Sequence, residues 1–346
     1  MTAVLDSLDM FGAAAGLAEQ VAESARSAAA VPGLPSAEGV NSVVVAGMGG
    51  SGIGGDVALA IAGPSCPVPI VVVKGYECPG FVGPETLFFA SSFSGNTEET
   101  MAVASAARRA GARLVALSHG GELERMAADW GVPHLPIADG LPMPRAGIGA
   151  VSIPLLVTLD RLGLCEEMDG HIYATVRQLR RRIETLMTPD SVAALLARRI
   201  GRTLPIVYGD AGIGEVAALR WKGQFNENPK VAAFTNRVPE LTHNEICGWG
   251  QHGDVTRQVF SLVLLRHDHE HPRNSLRFDL TAEICDEIVA DVHTVVAEGE
   301  GRLAQLFDLI VQGDFVTLEL AAQSEVDPGP IPVLDEIKAS MTASAR

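Results

Sequence analysis

The sequence predicts an α/β fold made of two doubly wound parallel sheets, each flanked by helices. Short apolar runs alternate with helical segments, and the order strand, glycine-rich turn, helix occurs at 43–62 and again at 204–225. Continuous apolar runs rich in β-branched residues, such as 42–46, are typical of buried parallel strands. The length of 346 residues suits two domains.

The first domain is predicted to occupy residues 1–165. An alanine-rich helical region comes first and ends at the breaker run VPGLP at 31–35. Strands are predicted at 42–46, 69–73, 86–91, 113–118 and near 132–136. Helices are predicted near 53–62, 97–110 and 121–130. The short loops between these elements favour a parallel sheet.

A helical connector is predicted at 166–200 and a second domain at 201–346. The stretch 139–148 is irregular and rich in glycine and proline. The basic cluster at 177–182 is interpreted as a solvated helix face. In the second domain, strands are predicted near 204–208, 231–234, 258–265 and 292–296, and helices near 215–225, 272–289, 301–323 and up to 338.

Composition excludes several kinds of partner. Lys and Arg number 26 against 42 Asp and Glu, and the formal charge of −16 argues against nucleic acid or an anionic membrane surface. Hydrophobic residues make up 47% of the chain, which excludes global disorder. The cysteines form no C-x-x-C pair and the N-terminal segment lacks a basic n-region, so we expect a cytoplasmic protein without a signal peptide. No apolar run approaches the roughly 18 residues of a membrane span.

A glycine-rich turn follows the first predicted strand, with Gly47, Gly49 and Gly52 in a G-x-G-x-x-G pattern. A dinucleotide site would also need an acidic residue after the second strand, where Lys74 stands instead. The turn also lacks the G-K-[ST] sequence of a P-loop. We interpret it as a turn where backbone amides and the Ser51 hydroxyl meet a ligand at a helix N-terminus.

Residues 92–97, here called the hydroxyl loop, follow the third predicted strand and read Ser-Phe-Ser-Gly-Asn-Thr. Amide groups at a helix start lack helical partners, so amides and hydroxyls there can hold a phosphate without Lys or Arg. The alternative is ordinary capping, with Asn96 as N-cap and Glu99 three residues later. Capping does not explain Ser92 and Ser94, so a phosphate site is the favoured interpretation.

Three more residues are candidates for proton chemistry. Arg145 is a single cation in an irregular loop, a position that is usually solvated. Glu227 lies just before Pro229 at a predicted helix C-terminus, where the helix dipole disfavours a carboxylate that has no role. Because histidine titrates near neutrality, His243 in its polar turn is a candidate for proton transfer, although a loop histidine is often simply exposed.

Histidines stand at alternate positions, His267, His269 and His271, just after the strand predicted at 258–265. Alternate residues share one face of a strand, so a metal site is one interpretation. A solvated loop is the favoured interpretation. We therefore predict no metal and no other cofactor.

Five segments taken together resemble the bifunctional phosphoglucose/phosphomannose isomerases, a family of the sugar-isomerase (SIS) fold. They occur in the family's order and lie at 47–56, 92–97, 144–146, 221–230 and 239–248. The resemblance implies two SIS domains, a hexose 6-phosphate substrate, and a homodimer with active sites at its interface.

The resemblance also implies roles for single residues. The residues that it assigns to substrate binding are Gly49, Gly50, Ser51, Ser92, Ser94 and Thr97. Glu227 matches the base that moves a proton between C2 and C1, and Arg145 matches the group that stabilises the cis-enediolate. His243, contributed by the neighbouring subunit, matches the ring-opening residue. Lys338 matches a lysine near the sugar ring oxygen.

The implied reaction is the aldose–ketose isomerisation of glucose 6-phosphate to fructose 6-phosphate. One base beside a carbonyl and one fixed cation meet the needs of this reaction. Gly329 stands where the family has threonine, which leaves mannose 6-phosphate open as a substrate. Two alternatives remain: a non-catalytic SIS module that binds a sugar phosphate, and a metal-dependent isomerase that uses the three histidines.

Overall fold

A computed structural model describes residues 5–165 and 167–344. In this part of the chain the strands form two parallel sheets, one of five strands and one of four, with helices around them. This architecture confirms the predicted fold class.

The first sheet and its helices lie in the N-terminal half. Two helices precede the sheet, α1 (Met10–Ala15) and α2 (Leu17–Ala30). Strands and helices then follow as β1 (Ser42–Ala46), α3 (Gly49–Ala62), β2 (Ile70–Val73), β3 (Thr86–Ser91), α4 (Glu98–Arg109), β4 (Arg113–Ser118), α5 (Gly121–Trp130) and β5 (His134–Pro136). A 3₁₀ turn at Pro144–Gly147 leads into α6 (Ile148–Arg161).

The second sheet follows two connecting helices, α7 (Met168–Leu186) and α8 (Val192–Ile200). Its elements are β6 (Leu204–Asp210), α9 (Ile213–Glu227), β7 (Phe234–Val238), α10 (Asp254–Val259), β8 (Phe260–Arg266), α11 (Pro272–Cys285), β9 (Asp291–Val296), α12 (Gly301–Gln323) and α13 (Pro332–Ser344). The boundaries at 165/166 and 200/201 stay a prediction.

The two sheets share one strand order. The first runs β2-β1-β3-β4-β5 and the second β7-β6-β8-β9, and all neighbouring strands are parallel. The second sheet therefore repeats the first four positions of the first sheet. The central strands β1 and β3 are buried along their whole length, as their continuous apolar sequences predict.

Two helices without an exposed side form the centre of the molecule. Residues 148–159 of α6 and residues 303–318 of α12 are all buried. A helix of this kind belongs in a core. In the part of the chain that the structure describes, no helix combines the length and the apolar character needed to cross a bilayer. The polar side chains that α12 carries into the core need hydrogen-bond partners there, so α12 constrains the elements around it.

The largest difference from the predicted strands is at β7. The apolar run 231–234 predicts a strand, whereas β7 spans Phe234–Val238. The residues just before β7 pack against the end of α9 instead, where the Val231 amide donates to the Phe225 carbonyl at 3.0 Å. β7 is an edge strand, and an edge strand does not need a continuous apolar sequence. In the first half, α3 begins at Gly49, inside the predicted glycine-rich turn.

Two of the three histidines at 267–271 accept hydrogen bonds from the backbone. His267 Nδ1 accepts from the His269 amide at 3.2 Å, and His271 Nδ1 accepts from the Arg273 amide at 3.1 Å, where it caps α11. The predicted solvated loop is wrong for His267, which is 6% exposed. Within residues 5–165 and 167–344, no group of three or more His, Cys, Asp or Glu side chains is arranged to hold a metal ion.

The buried His267 should make stability depend on pH between about 6.5 and 4. Burial lowers the pKa of His267 in the folded chain to about 4, so between these values the unfolded chain binds more protons. The contribution of His267 to the free energy of unfolding is complete above the pKa that His267 has in the unfolded chain. It is lost as the pH falls from there toward 4. At pH 5 the loss is about 2 kcal/mol of unfolding free energy.

His267→Asn keeps an acceptor for the His269 amide and removes the titrating group. Urea unfolding at pH 7 and at pH 5 measures the effect in both proteins. The wild type should lose about 2 kcal/mol more than the variant between the two pH values. Equal losses would show that His267 is not a buried neutral imidazole.

Candidate active site

The N-terminus of α3 lies against the hydroxyl loop. β1 ends at Ala46 and α3 starts at Gly49, whose φ of 51° favours glycine. The Ser51 side chain is buried, and its Oγ accepts a hydrogen bond from the Phe93 amide at 2.9 Å. Because a hydroxyl also donates one hydrogen bond, Ser51 supports the hydroxyl loop and retains a donor for a neighbouring group.

The hydroxyl loop places its side chains at the first turn of α4. Ser92 is buried, and its Oγ lies 2.8 Å from Thr97 Oγ1 and accepts from the Thr97 amide at 3.4 Å. Ser94 is exposed. Thr97 is the N-cap residue of α4, and its side chain makes no capping hydrogen bond to this helix. The amides of the first turn therefore remain for a ligand or solvent to pair.

Asn96 caps α5 and not α4, so the capping-box interpretation is wrong. Asn96 Oδ1 accepts from the Glu122 amide in the first turn of α5 at 3.0 Å. Its Nδ2 donates to the Ser94 carbonyl at 3.0 Å. The sequence pattern could not show this partner, because Glu122 is 26 residues away from Asn96.

Gly95 allows the hydroxyl loop to approach the turn that follows β4. Its φ is 69°, and a Cβ built on it would lie 1.8 Å from the Gly120 carbonyl oxygen. A larger residue would fit here only if the backbone moved. This contact fixes the hydroxyl loop against the start of α5.

Arg145 lies in the 3₁₀ turn before α6 and is only 3% exposed, unlike most single arginines in loops. Its Nε donates to Asn228 Oδ1 at 3.0 Å, and its Nη2 donates to the carbonyls of Pro328 and Gly329. Nη1 lies 3.5 Å from Glu227 Oε2. Burial lowers the pKa of Arg145 and the Glu227 carboxylate opposes that shift. Arginine stays protonated in proteins, so a fixed positive charge stands beside Glu227.

Glu227 is the last residue of α9, as its position before Pro229 predicts. About a third of its side chain, 34%, is exposed, so the carboxylate is open on one side and faces Arg145 on the other. Lys230 Nζ donates to the carbonyls of Glu227 and Asp327, both at 2.8 Å. A cation in this position pairs the last carbonyls of a helix. Lys230 therefore holds the end of α9 against residues 327–330, here called the carbonyl loop.

Close backbone contacts join the Arg145 turn to both loops of the first sheet. A Cβ built on Gly50 would lie 3.1 Å from the Pro144 carbonyl oxygen. A Cβ built on Gly147 would lie 2.7 Å from the Phe93 ring. The glycine-rich turn, the hydroxyl loop and the Arg145 turn therefore form one connected surface, which continues to Glu227 through the Arg145 side chain.

The other two predicted catalytic residues lie on exposed elements. His243 is exposed on the 3₁₀ turn Glu240–His243. Across residues 5–165 and 167–344, it makes no hydrogen bond to Arg145 or Glu227. Lys338 lies on α13, a helix whose described side chains are all exposed.

Asn228 and Lys230 contact Arg145 and Glu227, although the sequence did not single them out. The available signal was their position directly after Glu227 at a helix end, where polar side chains commonly pair free carbonyls. The structure also explains Gly329. A Cβ built there would lie 2.8 Å from Leu8 Cγ, so a larger residue would displace the carbonyl loop or Leu8.

A family model and two similar curated proteins point to the same family. Residues 190–341 match the family described as bacterial phospho-glucose isomerase C-terminal SIS domain. The chain is 37% identical over 333 residues to a bifunctional phosphoglucose/phosphomannose isomerase of Caldicellulosiruptor bescii, covering 95% of this chain and 98% of that protein. It is 32% identical over 300 residues to a protein of the same description from Thermoplasma acidophilum, covering 86% and 89%.

Among solved structures, the fold is similar to that of a hypothetical protein from Thermus thermophilus. The TM-score is 0.74 at 18% identity, and the alignment covers 97% of this chain and 90% of that one. At this identity the likeness concerns the fold alone.

Gly95→Ala and Gly131→Ala form a matched pair that tests the hydroxyl loop. Both glycines have positive φ, 69° and 64°, but a Cβ on Gly131 would meet nothing within 4 Å. Both variants should lose about 1–2 kcal/mol for left-handed alanine. Gly95→Ala should also displace the loop and weaken binding of inorganic phosphate about tenfold, or about 1.4 kcal/mol. Thermal unfolding and phosphate titration measure the two effects, and equal phosphate affinities would contradict an anion site here.

Proposed function

The chain belongs to the family of bifunctional phosphoglucose/phosphomannose isomerases, and on that basis we propose that it interconverts aldose and ketose hexose 6-phosphates. The substrates are glucose 6-phosphate and mannose 6-phosphate, and the common product is fructose 6-phosphate. The observation that carries the proposal is the Arg145–Glu227 pair, a buried guanidinium 3.5 Å from a half-buried carboxylate.

The hydroxyl loop holds the 6-phosphate in this proposal. Ser92, Ser94 and Thr97 supply hydroxyls, and the uncapped first turn of α4 supplies amides and the positive end of a helix dipole. None of these groups enters the count of Lys and Arg, so a chain with a charge of −16 can still bind an anion here. The residues that line the sugar are those at the start of α3: Gly49, Gly50 and Ser51.

Glu227 and Arg145 carry the proton transfer. Glu227 takes the proton from C2 of the open-chain aldose, and the electron pair of that C–H bond forms the C1–C2 double bond. The carbonyl electrons move onto O1, where Arg145 stabilises the negative charge of the enediolate. Glu227 then returns the proton to C1 while the O2 hydroxyl proton passes to O1, which gives the ketose. The reaction is redox-neutral, and one base serves both carbon atoms.

Ring opening precedes this step, and we assign it to the partner subunit's His243 together with Lys338. An imidazole can both accept and donate a proton, which suits the transfer of the ring hydroxyl proton. The exposure of His243 within one chain supports a role across an interface.

Two exposed apolar stripes support the homodimer. On α11 the stripe comprises Leu276, Leu280 and Ile284, and on α13 it comprises Val333, Ile337 and Met341. Each stripe follows the spacing i, i+4, i+8, which places its three side chains on one face of the helix. Large aliphatic side chains grouped on a surface are typical of contacts between proteins.

The domain boundaries and the compartment are also proposals. Domains at 1–165 and 201–346 with a connector at 166–200 are supported by the order of the elements. The strands of the first sheet come before α7 and α8 in the chain, and those of the second sheet come after them. A cytoplasmic location is supported by the cysteines at 66, 78, 165, 247 and 285, all of which are free thiols.

Glu227→Gln should strongly reduce isomerisation and leave substrate binding nearly intact. The amide keeps the shape of the carboxylate but cannot accept the C2 proton, so we expect kcat to fall by about 10²–10⁴. A coupled assay with glucose 6-phosphate and mannose 6-phosphate measures turnover. Calorimetric titration of the variant with fructose 6-phosphate measures binding.

Glu215→Gln is the matched control, because Glu215 lies at the other end of the same helix in a partly exposed ion pair with Arg237. Surface ion pairs contribute little, so its kcat should stay within about twofold of the wild type. Wild-type turnover by Glu227→Gln would exclude Glu227 as the base. A wild-type protein that binds hexose phosphates without converting them would favour the non-catalytic module.

A further inference from the structure

The direction of the Arg145 guanidinium is set by three of its five N–H groups. Nε donates to Asn228 Oδ1, and both hydrogens of Nη2 go to carbonyls of the carbonyl loop. Nη1 is the nitrogen that faces Glu227. Because the guanidinium is planar and rigid, the hydrogen bond to Asn228 Oδ1 and the two bonds to the carbonyl loop together fix where Nη1 points.

The orientation of Asn228 depends in turn on Thr317 of α12. Both residues are fully buried. The Thr317 hydroxyl donates to the Gly313 carbonyl at 2.9 Å, so its oxygen accepts from Asn228 Nδ2 at 3.0 Å. With Nδ2 held there, Oδ1 faces Arg145. A flipped amide would place two donors, Nδ2 and the Nε of Arg145, against each other.

A second set of hydrogen bonds from α12 holds the backbone of Arg145. Asp314 lies one turn before Thr317 and accepts from Arg220 at 3.0 Å and from Gln224 at 2.7 Å. Arg220 also donates to the Arg145 carbonyl at 2.5 Å. The backbone and the side chain of Arg145 are therefore both fixed to the same buried helix.

We infer that Thr317 is a positioning residue for the isomerisation, acting on Arg145 through Asn228. The inference rests on the proposed function, in which Nη1 meets the charge of the enediolate. A donor aimed at charge that develops in the transition state raises kcat without tightening substrate binding. Loss of the Thr317 acceptor therefore lowers kcat and leaves KM nearly unchanged.

Three substitutions separate the acceptor of Thr317 from its volume. Thr317→Val keeps the volume and loses the acceptor, Thr317→Ala loses both, and Thr317→Ser keeps the acceptor and loses only a methyl group. We expect Val and Ala to lower kcat about tenfold, with KM within about twofold of the wild type. Serine should retain at least about half of the wild-type kcat.

Thr158→Val is the matched control for a buried helical threonine. Thr158 is fully buried on α6, and its hydroxyl donates to the carbonyl four residues earlier, Pro154, at 2.7 Å. It therefore reproduces the local setting of Thr317 without the contact to Asn228. Its kcat should equal that of the wild type.

The ranking of the variants decides the inference. Activity that follows the acceptor, with wild type and Ser above Val and Ala, supports it even if Val or Ala lowers the melting temperature. Activity that follows volume, with Val equal to the wild type, overturns it, as does an equal loss in Thr158→Val. A wild-type protein without isomerase activity refutes the proposed function instead, before any variant is compared.

Discussion

The burial of one guanidinium, that of Arg145, is the constraint on which the arrangement of the site depends. Moving a charge out of water costs free energy unless charges and hydrogen bonds replace the lost hydration. Glu227 supplies the opposite charge, and Asn228 and the carbonyl loop supply acceptors. These partners come from the end of α9 and from the segment before α13, so a single cation joins three distant parts of the chain.

The strand order places the candidate site at the carboxyl edge of the first sheet. The carboxyl ends of parallel strands meet at one edge, and ligands bind where the strand order reverses, which here is between β1 and β3. The glycine-rich turn follows β1 and the hydroxyl loop follows β3. At the matching place in the second sheet, the buried side chains of Asp210 and His267 lie 4.0 Å apart.

The sequence predicted what depends on local pattern. Continuous apolar runs predicted the positions of β1 and β3. Pro229 predicted the end of α9, where Glu227 is the last residue. The errors concern partners that are distant in sequence. Asn96 caps α5 rather than its own helix, and β7 is an edge strand that an apolar run could not indicate. The pattern at 267–271 predicts a solvated loop, whereas His267 is buried.

In the proposed mechanism, hydrogen moves between C2 and C1 as a proton carried by Glu227, beside a fixed positive charge. Isomerisation of glucose 6-phosphate in heavy water, followed by NMR until equilibrium, tests this transfer most directly. A proton on a half-buried carboxylate exchanges with solvent over repeated turnovers, so deuterium should appear at C1 of fructose 6-phosphate. Fructose 6-phosphate that forms and equilibrates without any solvent deuterium at C1 would contradict the mechanism, because the hydrogen would then move directly between the two carbons.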